Sequence, residues 1–195
     1  MYNPNTTDNQ QELYDVVNEM DEVIGTATRQ QVHSDRSLIH RATGVIVFNT
    51  QKQLLMQKRS MTKDMYPGFW VFSVGGHVDS SDTYENAVQR EIQEELGVDL
   101  DIQLWEKILQ KSDAETEFWQ MYIAVHNGPF PKFNRIEAEE VRFFDLDELL
   151  KGAKNQSIPM PPNVLKLLPR IVDFVSKGKI DELFTKNEEM YVHNS

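Results

Sequence analysis

A chain of 195 residues with 39% hydrophobic content, ten Phe, six Tyr and three Trp has apolar material for one well-filled core and too little length for two. A net charge of −11 repels nucleic acid and anionic membrane, so neither is expected as a partner. The absence of cysteine excludes disulfides and thiol chemistry, and no apolar leader or membrane-length apolar run is present, which points to a cytoplasmic protein.

In chain order, residues 1–11 read as a disordered lead, 12–178 as one folded domain and 179–195 as a charged tail carrying a short helix at 180–184. Apolar runs at 13–17 and 23–28 flank Asn-Glu-Met-Asp-Glu and predict a hairpin, followed by a helical turn near 29–33. Strands are expected at 42–48 and 54–58, and the segment 72–74 leads through Gly75 and Gly76 into a helix over 82–96. Further strands fall at 102–110, 118–125 and 141–144, with a short helix at 146–150. Pro161 and Pro162 open a closing helix to 175, whose Val164, Leu167, Leu168, Ile171 and Val175 share one side. Strands, a central helix, more strands and terminal helices imply an α/β fold with a mixed sheet between helices.

The helix over 82–96 carries the chemistry. Positions three and four apart are neighbours on a helix, so Glu91, Glu94 and Glu95 share a face that Arg90 flanks. Between residues 79 and 95 six acids (Asp79, Asp82, Glu85, Glu91, Glu94, Glu95) face one base, Arg90, and a divalent cation would relieve their repulsion. Oxygen-only ligands favour Mg²⁺ or Mn²⁺. A solvated acidic helix face is the ordinary alternative. Against it stands the i, i+4 apolar stripe of Tyr84, Val88, Ile92 and Leu96, which seats this helix on a core and puts its acids at the packing edge.

Gly76, Arg90, Glu91, Ile92, Glu94, Glu95, Gly97 and Val98 together resemble the Nudix box, Gly-x5-Glu-x7-Arg-Glu-(apolar)-x-Glu-Glu-x-Gly-(apolar). The resemblance implies a Nudix-type α/β/α sandwich. One fixed position departs, since Asp82 stands where the family has its first Glu. Asp82 with Glu85 three residues on also reads as a helix N-cap and capping-box partner, a structural role rather than a metal ligand.

From residue 13 to 150 the chain is similar to the branch of that superfamily containing type I isopentenyl-diphosphate isomerase and its related hydrolases. The similarity runs through Gly25 to His33, His40, Arg59 to Lys63, Tyr66 to Trp70 and Ser73 to His77. It implies a second metal site, for a Zn²⁺ or Mn²⁺ ion, in which His33, His40 and His77 match the three histidines of the isomerases and Glu115 and Glu117 their two glutamates. It also implies diphosphate contacts from Arg29, Arg59 and Lys63, each of which is otherwise ordinary surface charge. Isomerases of this branch place a cysteine where this chain has Gly75. Glycine offers no acid or base for proton transfer at carbon, whereas the set Arg90, Glu91, Glu94 and Glu95 that a hydrolase needs is complete.

The expected activity is therefore metal-dependent hydrolysis of a small-molecule diphosphate, with the catalytic set Arg90, Glu91, Glu94 and Glu95 and the general base left unassigned. A cysteine-free isomerase and a non-enzymatic metal- or nucleotide-binding module are the rivals. Trp70 or Phe69 could line the pocket or fill the core. Substrate choice falls to loops such as 111–117 and 127–136, and neither substrate nor oligomeric state is legible in the sequence.

Overall fold

The computed structural model describes residues 6–112 and 115–183. Nine strands form one mixed sheet, with β1 (Leu13–Val17), β2 (Val23–Thr28), β3 (Ile39–Phe48), β4 (Leu54–Arg59), β5 (Trp70–Phe72), β6 (Val74–His77), β7 (Ile102–Lys111), β8 (Thr116–Val125) and β9 (Ala138–Phe144). The helices are α1 (Arg29–Val32), α2 (Tyr84–Glu95), α3 (Leu146–Asn155) and α4 (Pro162–Ser176). Strand β3 is the hub. It pairs antiparallel with β6 and parallel with β8, while β1 and β4 meet its two ends.

Alternation along β3 divides the core. Val45 and Val47 pack with Val88 and Ile92 of α2 and its C-cap Leu96, whereas Ile46 and Phe48 pack with Val164, Leu167, Leu168 and Ile171 of α4. Burial on both faces explains why the second half of β3, Val45 to Phe48, reads as a continuous apolar run. The result is the layered α/β/α arrangement with a mixed sheet that the sequence implied. Each fully buried side chain of this kind contributes about 1.5–3 kcal/mol. Among the described residues, no helix is long and apolar enough to cross a membrane.

Several boundaries differ from expectation. Helix α2 is capped by Thr83, whose hydroxyl accepts from the Asn86 N–H at 3.2 Å; Asp82 instead accepts from the Thr83 N–H and the Asn86 amide. Asp82 is thus not the N-cap, because the first helical turn begins one residue later. At the other end Gly97 adopts φ +67°, the left-handed turn expected of a glycine stop.

Residues 6–11, read as a disordered lead, run along the domain. The Thr7 N–H donates to the Thr62 carbonyl at 3.1 Å, and the Asp8 side chain is engaged with Lys63 and the Asp64 N–H. At the other terminus, Ile180 and Leu183 are buried in the α4 core, so folded structure extends past 178. A helical turn covers 181–183, and the remainder of the tail lies outside the described residues, as do 1–5.

Candidate active site

A cleft of about 330 Å³ opens between α2, the β6 end of the sheet and the segment before β1. Glu91, Glu94 and Glu95 all border it, on unequal terms. Glu95 is buried, and one of its oxygens accepts from the Gln57 amide at 2.5 Å and the Gly75 N–H at 3.4 Å. Glu91, one turn earlier, is held by Arg90 Nη1 at 2.7 Å. Glu94 is half exposed at the rim, 3.6 Å from the same Arg90 nitrogen. Arg90 also donates to the His77 carbonyl at 3.3 Å and pairs with Asp79, so it fixes the helix against β6 as well as fixing Glu91.

Burial pushes the Glu91 carboxyl up to about 7, against the pull of Arg90. Burial, then the charges of Glu91 and Glu137, push Glu95 well above the usual carboxylate range. Two acids so poorly compensated suit a divalent cation, which supplies the charge that Arg90 alone does not.

The second cluster assembles through strand register. In the parallel β3/β8 ladder His40 lies opposite Glu117, and in the β3/β6 ladder Ala42 lies opposite His77, so His40, His77 and Glu117 converge on one face. Helix α1 delivers His33 from above its C-terminus. Ligand atoms of His33, His40, His77 and Glu115 lie within 4.8 Å of one another. Glu117 Oε1 completes the set, 3.3 Å from His40 Nε2 and 3.4 Å from His77 Nε2.

The donors fit a Zn²⁺ or Mn²⁺ ion. His40 is fully buried; its Nε2 faces Glu117 Oε1 at 3.3 Å, while its Nδ1 and the Nδ1 of His33 have no hydrogen-bond partner. Burial brings His33 down to about 3 and His77 down to about 4, so both rings are neutral at pH 7 with lone pairs to offer. Burial opposes ionisation of Glu117, but the bonds from His40 and His77 outweigh it and hold that carboxyl well below its usual range.

Of the three expected diphosphate contacts, two already have carboxylate partners. Arg29 is buried, donates to both oxygens of Asp64 at 3.1 and 3.3 Å, and reaches Tyr14 and His77 with Nη1. Lys63 sits between Asp8 and Glu137, the latter at 2.7 Å. Arg59 borders the cleft with its Nε bonded to the Met65 carbonyl at 2.8 Å. Trp70 is core, packed edge-on against Phe144, and neither it nor Phe69 lines the cleft.

Gln57, Glu137, Asp8 and Trp119 border the cleft and escaped the sequence reading. Gln57 carried a signal, an amide following three buried apolar residues in β4. The other three carried none, because only tertiary pairing brings them to the site.

A mixed sheet between helices, with Arg90, Glu91, Glu94 and Glu95 at the mouth of a cleft, defines a Nudix pyrophosphohydrolase. The chain belongs to the NUDIX domain family, whose profile matches residues 38–164. It is 30% identical over 166 residues to an uncharacterized Nudix hydrolase of Pseudomonas aeruginosa, covering 83% of this chain and 94% of the relative. It is also 31% identical over 145 residues to isopentenyl-diphosphate Delta-isomerase 2 of Photorhabdus laumondii, covering 72% and 79% of the two chains. Among solved structures, DR0079 from Deinococcus radiodurans superposes with a TM-score of 0.73 at 28% identity, over 82% of this chain and 99% of that one.

Proposed function

We propose that this protein hydrolyses the diphosphate linkage of a small molecule in a metal-dependent reaction, with Glu91, Glu94 and Glu95 holding Mg²⁺ or Mn²⁺. The observation that carries this reading is the pair of carboxylates, part-buried Glu91 and buried Glu95, bordering a cleft that also contains Arg59 and Glu137. Bound there, the cation would neutralise phosphate charge and acidify an attacking water. Arg90 keeps the Glu91 rotamer aimed at the cleft, and Gln57 does the same for Glu95. With Arg29 and Lys63 held by Asp64, Asp8 and Glu137, the grip on the distal phosphate narrows to Arg59, and Lys63 acts by setting the position of Glu137. His33, His40, His77, Glu115 and Glu117 would hold a second ion, Zn²⁺ or Mn²⁺, beside the cleft.

Glu94→Gln and Glu95→Gln should each lower kcat by orders of magnitude and leave the melting temperature of the metal-free protein unchanged or raised, since each removes a repelling charge. Full activity in both variants would end this reading. A non-enzymatic metal-binding role is removed by multiple-turnover release of product with Mg²⁺.

A cysteine-free isomerase is favoured by one observation, the 31% identity to the Photorhabdus isomerase. Deuterium entering isopentenyl diphosphate from heavy water would support it. No exchange, under conditions where phosphate is released, would remove it.

A further inference from the structure

We infer that Trp119 is the specificity-determining residue of the cleft, a platform for a flat, unsaturated group attached to the diphosphate. The inference rests on the hydrolase reading for the diphosphate and on separate geometry for the group beyond it.

Trp119 lies in the middle of β8, is half-buried and borders the cleft. Its indole rests on glycines. A Cβ at Gly75 would sit 3.4 Å from Cη2 and 3.5 Å from Cζ3, and one at Gly44 would sit 3.1 Å from Cζ3. The strand floor beneath the ring is therefore bare backbone, and Met121 and Gly75 are its neighbours at the cleft wall.

The indole has one polar group. Its Nε1–H donates to Glu117 Oε2 at 2.7 Å, so what remains for a ligand is hydrocarbon and π surface. That bond also fixes the ring plane. Glu117 uses its other oxygen on His40 and His77, which ties the platform to the histidine cluster. Met121, Val71 and Phe72 add apolar wall. Such a surface binds a nucleobase or an allylic group by stacking and selects for flatness rather than for a hydrogen-bonding edge.

The test compares parent, Trp119→Phe and Trp119→Leu, each with Mg²⁺, on ADP, dimethylallyl diphosphate and methyl diphosphate. The expected result is a KM at least about tenfold higher in the Leu variant for whichever flat substrate the parent cleaves, an intermediate value for Phe, and a change of threefold or less for methyl diphosphate. ADP and dimethylallyl diphosphate distinguish a base from an allylic chain as the natural group. Equal effects on flat and methyl substrates, or no effect on any, would overturn the inference. If the parent cleaves none of them, these three compounds are not its substrates, and binding then decides the role of Trp119. Tryptophan emission quenched by ADP or dimethylallyl diphosphate in the parent but not in Trp119→Phe supports the platform. Quenching that is equal in both, or absent from the parent, rejects it.

Discussion

Glu91 reaches the cleft only because residue 76 has no side chain. A Cβ on Gly76 would lie 2.2 Å from the Glu91 carboxyl carbon and within 2.5 Å of both its oxygens. Gly76→Ala should therefore push the carboxylate out of place. We expect a loss of turnover comparable to that of Glu91→Gln, with a lower affinity for Mn²⁺ measured by titration. Unchanged Mn²⁺ affinity in Gly76→Ala would show that Glu91 does not need this space.

The raised pKa of Glu91 has a definite sign in stability. Its carboxyl moves from 4.5 up to about 7 on folding, so between those values the folded protein holds a proton that the unfolded chain has lost. Stability of the metal-free protein falls as pH rises through that window. The lowered His33 and His77 act in the opposite direction, so the informative quantity is the difference between parent and variant. Glu91→Gln should melt higher than the parent at pH 8 and close to it at pH 4.5, both with chelator present. A difference independent of pH would contradict the shift.

The histidine cluster should bind its own ion. Protein purified without a polyhistidine tag should carry close to one equivalent of Zn²⁺ or Mn²⁺ by elemental analysis, and His40→Ala should carry almost none. Because Glu117 joins the cluster to Trp119, adding Zn²⁺ to chelator-treated protein should shift tryptophan emission in the parent and not in Trp119→Phe. Less than about a tenth of an equivalent, with no emission change, would reject the site.

Asp8 anchors the segment before β1 to the cleft. Its carboxylate meets Lys63 and the Asp64 N–H, and the partners hold it well below the usual range even though burial opposes this. Asp8→Ala should cost about 1–3 kcal/mol at pH 7. The depressed pKa makes that contribution present at neutral pH and lost as pH falls below the ordinary carboxylate range. Urea melts at pH 7 and pH 3 check this, with the parent–variant difference expected to shrink at the lower pH.

The chemistry along α2 was legible because its spacing is local. Arg90, Glu91, Glu94 and Glu95 stand at fixed offsets, and the stripe from Tyr84 to Leu96 announces which face packs. The cap slipped by one residue because Asp82 and Thr83 are both good capping types. His33, His40 and His77 could be named only by resemblance, since their convergence depends on the β3/β8 and β3/β6 registers. Charge at Arg29 and Lys63 was visible, whereas Asp64 and Asp8, which occupy those charges, are contributed by distant segments. Trp119 was hidden for the same reason. Nothing in one strand reveals that Gly44 of the adjacent β3 and Gly75 of β6 lie under its indole.

The central claim is that the α2 glutamates gather a divalent ion where a diphosphate can reach it. A crystal structure with Mn²⁺ and methylenediphosphonate tests this most directly. The expected result is an anomalous peak about 2.0–2.3 Å from carboxylate oxygens of Glu91 and Glu95, bridged to the diphosphonate. A diphosphonate bound elsewhere, with those carboxylates unliganded, would contradict it.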